Sequence, residues 1–344
     1  MINKRVLSVA GIYCATVLGA GFISGRELLS YFLRFGGFGA ALLVAASALI
    51  GYLGYKALYI AYLLKSQSYN EFLVDISGSL MGGLLEIVSL LFLLVIFSAM
   101  LSGGGSGGQE FFGANKLWFS IGLSLICFIV FLGRLKALAS VSLLLCPFMV
   151  IGGIAVSLCA LFSDSAVFSD AASVLSPSYH ALSFCAYNLL SAIPVLVSSR
   201  VLISSREEAF LSGMLAGLGI ASLGFFLSLA LIRFLPLIGD AQLPLLRLTE
   251  LISMNDKLKG LYFFLLMGGI LTTALGSGFA FIEEIKRLTG LSHPIACLIA
   301  VLLALFLSQI SFASLVDKGY MIFGIFSFLL IYKLFVYKVE NKHN

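Results

Sequence analysis

The sequence predicts an all-α polytopic membrane protein of about ten transmembrane helices, a five-plus-five inverted repeat with helices 1 and 6 broken. Three observations lead there. The chain is 60% hydrophobic and only 11% charged, with a mean hydropathy of +1.10. Apolar runs of membrane-crossing length follow one another along its whole length. Two of them carry interruptions of the kind that unwind a helix, and these lie about half a chain apart.

A soluble domain carries roughly 25% charged residues, and 344 residues this apolar leave too few charges to cover a core in water. The bilayer, with its lipids, is therefore the expected solvent. The formal net charge of +5 does not call for a nucleic-acid partner. Lys and Arg sit at the ends of apolar runs and form no basic face, which is how membrane helices are oriented. Cys14, Cys127, Cys146, Cys159, Cys185 and Cys297 all lie within apolar runs without a CxxC pair. They predict neither a disulfide framework nor a zinc site.

Runs able to cross roughly 30 Å of hydrocarbon fall at 6–35, 38–64, 79–101, 117–132, 138–162, 179–203, 209–232, 260–282, 294–312 and 319–338. The fourth is short, and the first is long and interrupted. With the N-terminus in the cytoplasm, Lys4, Arg5, Lys65, Arg134, Lys136, Arg200, Arg206, Lys286, Arg287, Lys338 and Lys342 gather on the inner side. An even number of spans returns the C-terminus to that side. The outer loop 233–259 holds two prolines and the apolar patch Leu243-Pro244-Leu245-Leu246, and is expected to dip back as a cap over an outer vestibule.

The interruptions organise the chain. Gly19-Ala20-Gly21 breaks the first span, and Tyr187-Asn188, followed by Pro194, is expected to break the sixth. Five spans then fall in each half, and an odd number makes the second half enter from the opposite face. The expected domain is one unit over 1–344, with repeat one about 1–165 and repeat two about 170–344.

Glycine in a helix costs about 1 kcal/mol relative to alanine. Unwinding at mid-membrane also strips peptide groups of partners that hydrocarbon cannot replace. A solute and ions can. The half-helix beginning near Phe22 would aim free N–H groups at an anion, and the half-helix ending near Leu18 would offer bare carbonyls to a cation. Close helix packing is the competing use of small residues. Ser24-Gly25-Arg26-Glu27 weighs against it, because intramembrane charges need a wet cavity or buried partners. Arg26 is expected to pair with Asp317 as an outer gate, or as a fixed ion pair. Glu27 is expected to coordinate a cation, carry a proton or anchor a substrate amine. Lys56 and Glu86 suggest a structural pair, and His180 and His293 read as interfacial. In the eighth span, Thr272 and Thr273 either bond their own helix or complete an all-oxygen Na+ cage with the carbonyls of the first span.

At these residues the sequence resembles transporters of the LeuT-type five-plus-five fold, in the amino acid–polyamine–organocation superfamily. Gly19-Ala20-Gly21-Phe22-Ile23-Ser24-Gly25-Arg26-Glu27 is similar to the first-helix signature of the YkvI-like family of bacterial membrane proteins. Tyr187-Asn188-Leu189 and Thr272-Thr273-Ala274-Leu275-Gly276 resemble that family's later segments. The likeness covers nearly the whole chain. It implies a Na+ site formed by the carbonyls of Ala15, Leu18 and Gly269 and the hydroxyls of Thr272 and Thr273. It implies a substrate site at Ala20, Gly21, Phe22, Ala186, Tyr187 and Asn188. Lys136 stands only at the start of the fifth span, which favours Na+ over a proton as coupling ion. The run Ser102-Gly103-Gly104-Gly105-Ser106-Gly107-Gly108 departs from the aromatic that amino-acid carriers of this fold often place there, so the pocket is wider or filled from elsewhere.

The function this implies is Na+-coupled symport of a small solute such as an amino acid, in a bacterial inner membrane with both termini cytoplasmic. Na+ would be coupling ion, with no other cofactor; the oligomeric state is not legible. A channel, or a non-transporting sensor on the same scaffold, is the alternative. Gly104-Gly105-Ser106-Gly107 matches the GxSG pattern of intramembrane serine proteases, but a glycine-serine run makes such a match nearly unavoidable, and HExxH and phosphate-loop motifs are absent from the sequence. The expectation is not an enzyme.

Overall fold

A computed structural model describes residues 3–113, 115–133, 151–162, 176–252 and 255–337. The first span is divided into α1 (Lys4–Val17), α2 (Ala20–Ile23) and α3 (Arg26–Tyr31). Then follow α4 (Gly36–Leu64), α5 (Tyr69–Ser77), α6 (Ser79–Phe112), α7 (Lys116–Leu132) and α8 (Ile151–Leu161). The remaining helices are α9 (Pro177–Ser199), α10 (Arg206–Ile232), α11 (Leu235–Ile238), α12 (Pro244–Leu251), α13 (Asp256–Thr289), α14 (His293–Leu307), α15 (Phe312–Ser314) and α16 (Met321–Val336). A π-helical turn, Leu315–Tyr320, joins the last two. Among the described residues, six helices are long and apolar enough to cross a membrane, and α7, α8 and α14 are shorter apolar helices. With the divided first span these account for the ten expected crossings. Of the fifth, residues 138–150 lie outside the described ones, as do Lys136 and Cys146.

Helix starts follow local capping chemistry. The side chains of Asn3, Ser68, Asn115, Ser205 and Asn255 accept the first free backbone N–H groups of α1, α5, α7, α10 and α13. Proline opens α9, α11, α12 and α14, where its missing N–H is no loss.

The helices pack as two groups. In one, α4 lies along α10 and α9, and α1 lies along α10 and α9. In the other, α6 packs on α13, α7 and α14. The α4–α10 contact is backbone on backbone: a Cβ on Gly51 would stand 2.9 Å from the Gly213 carbonyl oxygen, and one on Gly217 would stand 2.8 Å from that of Ser47. Small residues bring membrane helices this close when no hydrophobic drive acts between them.

The structure corrects several expectations. The third crossing does not stop at residue 101. The Ser102–Gly108 run stays helical within α6, and its glycines are packed rather than unwound. Phe312, Leu123, Ser120, Met267 and Phe119 occupy the space beside them. Lys56 does not pair with Glu86; its Nζ donates to the Phe335 carbonyl at 3.2 Å. Glu86 pairs instead with Arg287 and accepts from Asn70. His180, in the first turn of α9, is covered by neighbouring side chains.

The sixth crossing is not broken. Helix α9 runs through Tyr187-Asn188 without interruption. Between Pro177 and Ser199 there is no glycine to lower the barrier to unwinding. The Asn188 amide donates to the Phe184 carbonyl one turn back at 3.0 Å, and the Ser191 hydroxyl donates to the Asn188 carbonyl at 2.9 Å. These side chains fold onto their own helix instead of opening it. Among the described residues only the first span is divided, although the fold class stands.

Gly217→Leu is expected to lower stability by about 1–3 kcal/mol through overpacking. Gly122→Leu, where a Cβ meets nothing within 4 Å, should cause no loss. Thermal unfolding of the two purified variants checks this, and equal stability would remove the glycine seam as a determinant.

Candidate functional site

Helix α1 ends at Val17, and the Leu18 N–H still reaches the Cys14 carbonyl at 2.8 Å. Gly19 then turns extended, with ψ at 177°. One turn of helix follows before Gly25, whose φ of 82° is left-handed. A side chain at Gly25 would be strained and would also stand 2.8 Å from Leu231, so glycine is required on both counts. The first helix is therefore divided as its sequence predicts.

The broken stretch is re-satisfied from three sides. Ala20 N–H donates to the Thr273 hydroxyl oxygen of α13 at 3.3 Å. The Tyr262 hydroxyl donates to the Ile23 carbonyl at 3.0 Å. The Leu245 N–H, at the start of α12, donates to the Ser24 carbonyl at 2.8 Å. The loop expected to dip inward does so, and Leu243, Leu245, Leu246 and Leu248 are buried. Among the described residues, no backbone N–H donates to the carbonyls of Ala15, Thr16, Val17 or Leu18. This bare carbonyl end carries the negative pole of α1.

The residues expected to hold Na+ converge in part. Thr273 stands against the break, with its hydroxyl 3.2 Å from where a Gly19 Cβ would lie. Thr272 donates to Gly269 on its own helix at 3.0 Å, so both of those oxygens are engaged with each other. Ala15 is half-buried and Leu18 buried at the open end of α1. No group of three His, Cys, Asp or Glu side chains suited to a metal occurs among the described residues. Any cation here would rest on neutral oxygens, the ligand type that hard cations accept.

The expected substrate residues are all buried. Ala20, Gly21 and Phe22 make up most of α2, and the Phe22 ring lies 6.2 Å from Phe184 of α9 between centroids. Ala186, Tyr187 and Asn188 lie on α9. Sequence reasoning missed what joins the two segments. The Glu27 side chain folds back from α3 so that a methyl on Gly21 would overlap its carboxyl, and it accepts a 2.6 Å bond from the Tyr187 hydroxyl. Glu27, expected to coordinate a cation, carry a proton or anchor a substrate amine, thus has its carboxyl between α2 and α9.

Arg26 points the other way. Its Nε donates to Asp317 Oδ1 at 3.0 Å, a second guanidinium nitrogen pairs with Oδ2, and Nη1 donates to the carbonyls of Gly239 and Ala241. Ser30 also donates to Asp317. The π-helical turn that carries Asp317 widens the backbone where it meets α3. The expected Arg26–Asp317 contact is thus present, and both residues line a pocket of about 290 Å³ together with Leu29, Ser30, Arg34, Leu235 and Gly239.

A helix divided at mid-length, faced by a threonine-bearing helix and roofed by an ion pair, belongs to the LeuT-type transporter fold. The chain is a multi-pass membrane protein with that fold, and the solved structures that share the fold are transporters. It is similar to the protein described as "Uncharacterized membrane protein YkvI" of Bacillus subtilis (strain 168), 27% identical over 347 residues that cover 98% of this chain and 97% of the relative. The resemblance seen at the first-helix signature thus extends along the chain. Among solved structures it matches a manganese transporter of Eremococcus coleocola with a TM-score of 0.69, 14% identity and coverage of 96% and 78% of the two chains. It also matches a Na+-coupled sialic acid symporter with a TM-score of 0.64, 15% identity and coverage of 95% and 78%. No family model matches the chain.

Opening of the outer ion pair is expected in Arg26→Ala and Asp317→Asn. Amide hydrogen exchange across residues 21–31 should rise by about tenfold in each, and no further in the double variant, because both remove one coupled contact. Unchanged exchange in the single variants would leave the pair without a gating role.

Proposed function

We propose that the chain is a secondary active transporter that couples Na+ to the movement of a small solute by alternating access. The observation that carries this reading is the division of the first helix at Leu18-Gly19, with the carbonyl end of α1 bare and Thr273 of α13 against it. Na+ would be held by the carbonyls of Ala15, Leu18 and Gly269 and the hydroxyls of Thr272 and Thr273. To free them, Thr272 would release its bond to Gly269. The site bridges the two helix groups, since α1 belongs to one and α13 to the other. An ion bound there favours the arrangement in which they are drawn together, and a ligand shifts an equilibrium only through such a difference in affinity.

The solute would bind against Ala20, Gly21, Phe22, Ala186, Tyr187 and Asn188, under the Arg26–Asp317 roof. The fold does not dictate the cargo, as its manganese and sialic acid relatives show between them. The amino acid expected from the sequence needs N–H groups at the start of α2 for its carboxylate, and Glu27 already lies over Gly21 there. The reading adopted is therefore a small solute, with amino acids one candidate class. The basic residues at span ends support cytoplasmic termini in a bacterial cell membrane.

Purified protein is expected to be more heat-stable in Na+ than in K+. The gain should approach about 2.7 kcal/mol at a hundredfold excess over the dissociation constant. The Thr272→Ala, Thr273→Ala double variant should fold but lose the difference between the two ions. A Na+-specific gain that survives in the double variant would refute this ion site.

A further inference from the structure

The Glu27 carboxyl is enclosed on every side, and only 4% of the residue's surface is exposed. It lies over Gly21 and accepts from the Tyr187 hydroxyl. Among the described residues no Lys, Arg or His nitrogen pairs with it. Arg26, its neighbour in sequence, is turned outward and engaged with Asp317 and two loop carbonyls. A carboxyl taken out of water with no cation from its own chain needs a proton or a visiting positive charge.

Its surroundings favour the visitor. The Tyr187 ring lies 5.3 Å from Tyr31, 5.1 Å from Tyr320, 5.6 Å from Phe184 and 5.9 Å from Phe92 between centroids. All five rings are buried. The Tyr31 hydroxyl is buried without a hydrogen-bond partner. Ring faces attract ammonium groups, most strongly where water is excluded, and among the described residues no lysine or arginine of the chain stacks on this cluster. A solute carboxylate entering the same space would meet Glu27 and be repelled.

The geometry points to a small organic amine in its charged form as the cargo, with its ammonium group held by the Glu27 carboxylate and the rings of Tyr31, Tyr187 and Tyr320. Glu27 supplies the negative charge, and Tyr187 orients it by donating to Oε2. This assignment rests on the transporter reading for the movement of the cargo, and on the placement of Glu27 for its charge.

The test uses the full chain, purified in detergent and then in proteoliposomes with a Na+ gradient. The probes are tetramethylammonium and phenethylamine as cations, phenylalanine as zwitterion and phenylpropionate as anion. Binding is read as the concentration-dependent rise in unfolding temperature, and transport as uptake of labelled probe. The cations should stabilise the wild type and phenylpropionate should not. Glu27→Gln should weaken cation binding about tenfold or more, the loss expected when a charged partner is removed. Tyr31→Phe should weaken cation binding less than Tyr31→Leu, since only the first keeps a ring face. This pair gives an answer even if Glu27→Gln does not fold. Failure of both cations to stabilise, stabilisation by phenylpropionate in their place, or undiminished cation binding in Glu27→Gln would overturn the assignment. If Glu27→Gln binds cations normally but loses only a pH dependence of uptake, Glu27 carries protons instead. Binding without uptake would sink the transporter reading and leave the ammonium site standing. Uptake of phenylalanine with exclusion of both cations would do the reverse.

Discussion

Peptide groups cannot be left unpaired in hydrocarbon, where each one costs several kcal/mol. At the division of the first helix, the requirement explains why distant elements arrive where they do. Tyr262 and Thr273 reach across from α13, and the start of α12 descends from the outer loop. The Ser24 hydroxyl turns back onto the Gly21 carbonyl at 3.0 Å. After these contacts, the unmet need is concentrated at the carbonyl end of α1, where a cation is the natural complement. The two helix groups supply the rigid walls, and the glycine seam between α4 and α10 keeps one wall from yielding.

Adjacent residues of opposite charge do different work here because of helix geometry. Successive positions on an α-helix point about 100° apart, so Arg26 and Glu27 cannot face one another. Arg26 turns to the vestibule and Glu27 to the interior. The short α3 thus holds Arg26 against Asp317 and the Glu27 carboxyl against Tyr187, so Arg26 does not neutralise Glu27. A single Gly25 in the left-handed region sets the angle of that turn.

Much of this was legible in the residues. Apolar run lengths gave the crossings, and Gly19-Ala20-Gly21 located the division, because glycine lowers the barrier to leaving the helix. The Pro244 segment announced an inward loop through its apolar side chains, and the Arg26–Asp317 contact followed from the expense of intramembrane charge. What failed was reasoning by symmetry. Tyr187-Asn188 resembled a second break, but asparagine and serine side chains bonded their own helix and no glycine was available to open it. The fold-back of Glu27 was hidden for another reason. Linear spacing places it beyond the glycines, and only the turn at Gly25 returns its carboxyl to Gly21. The Ser102–Gly108 run left two outcomes open, since local sequence does not record which neighbours fill a groove.

The hydrogen bond from Leu245 to Ser24 joins the loop helix α12 directly to the backbone of the divided segment. Anything that grips α12 from outside, whether an antibody fragment or a rigid cyclic peptide, would hold the ceiling of the chamber still without entering it. Such reagents would act as conformational brakes, and their footprint would overlap none of the residues proposed to touch cargo.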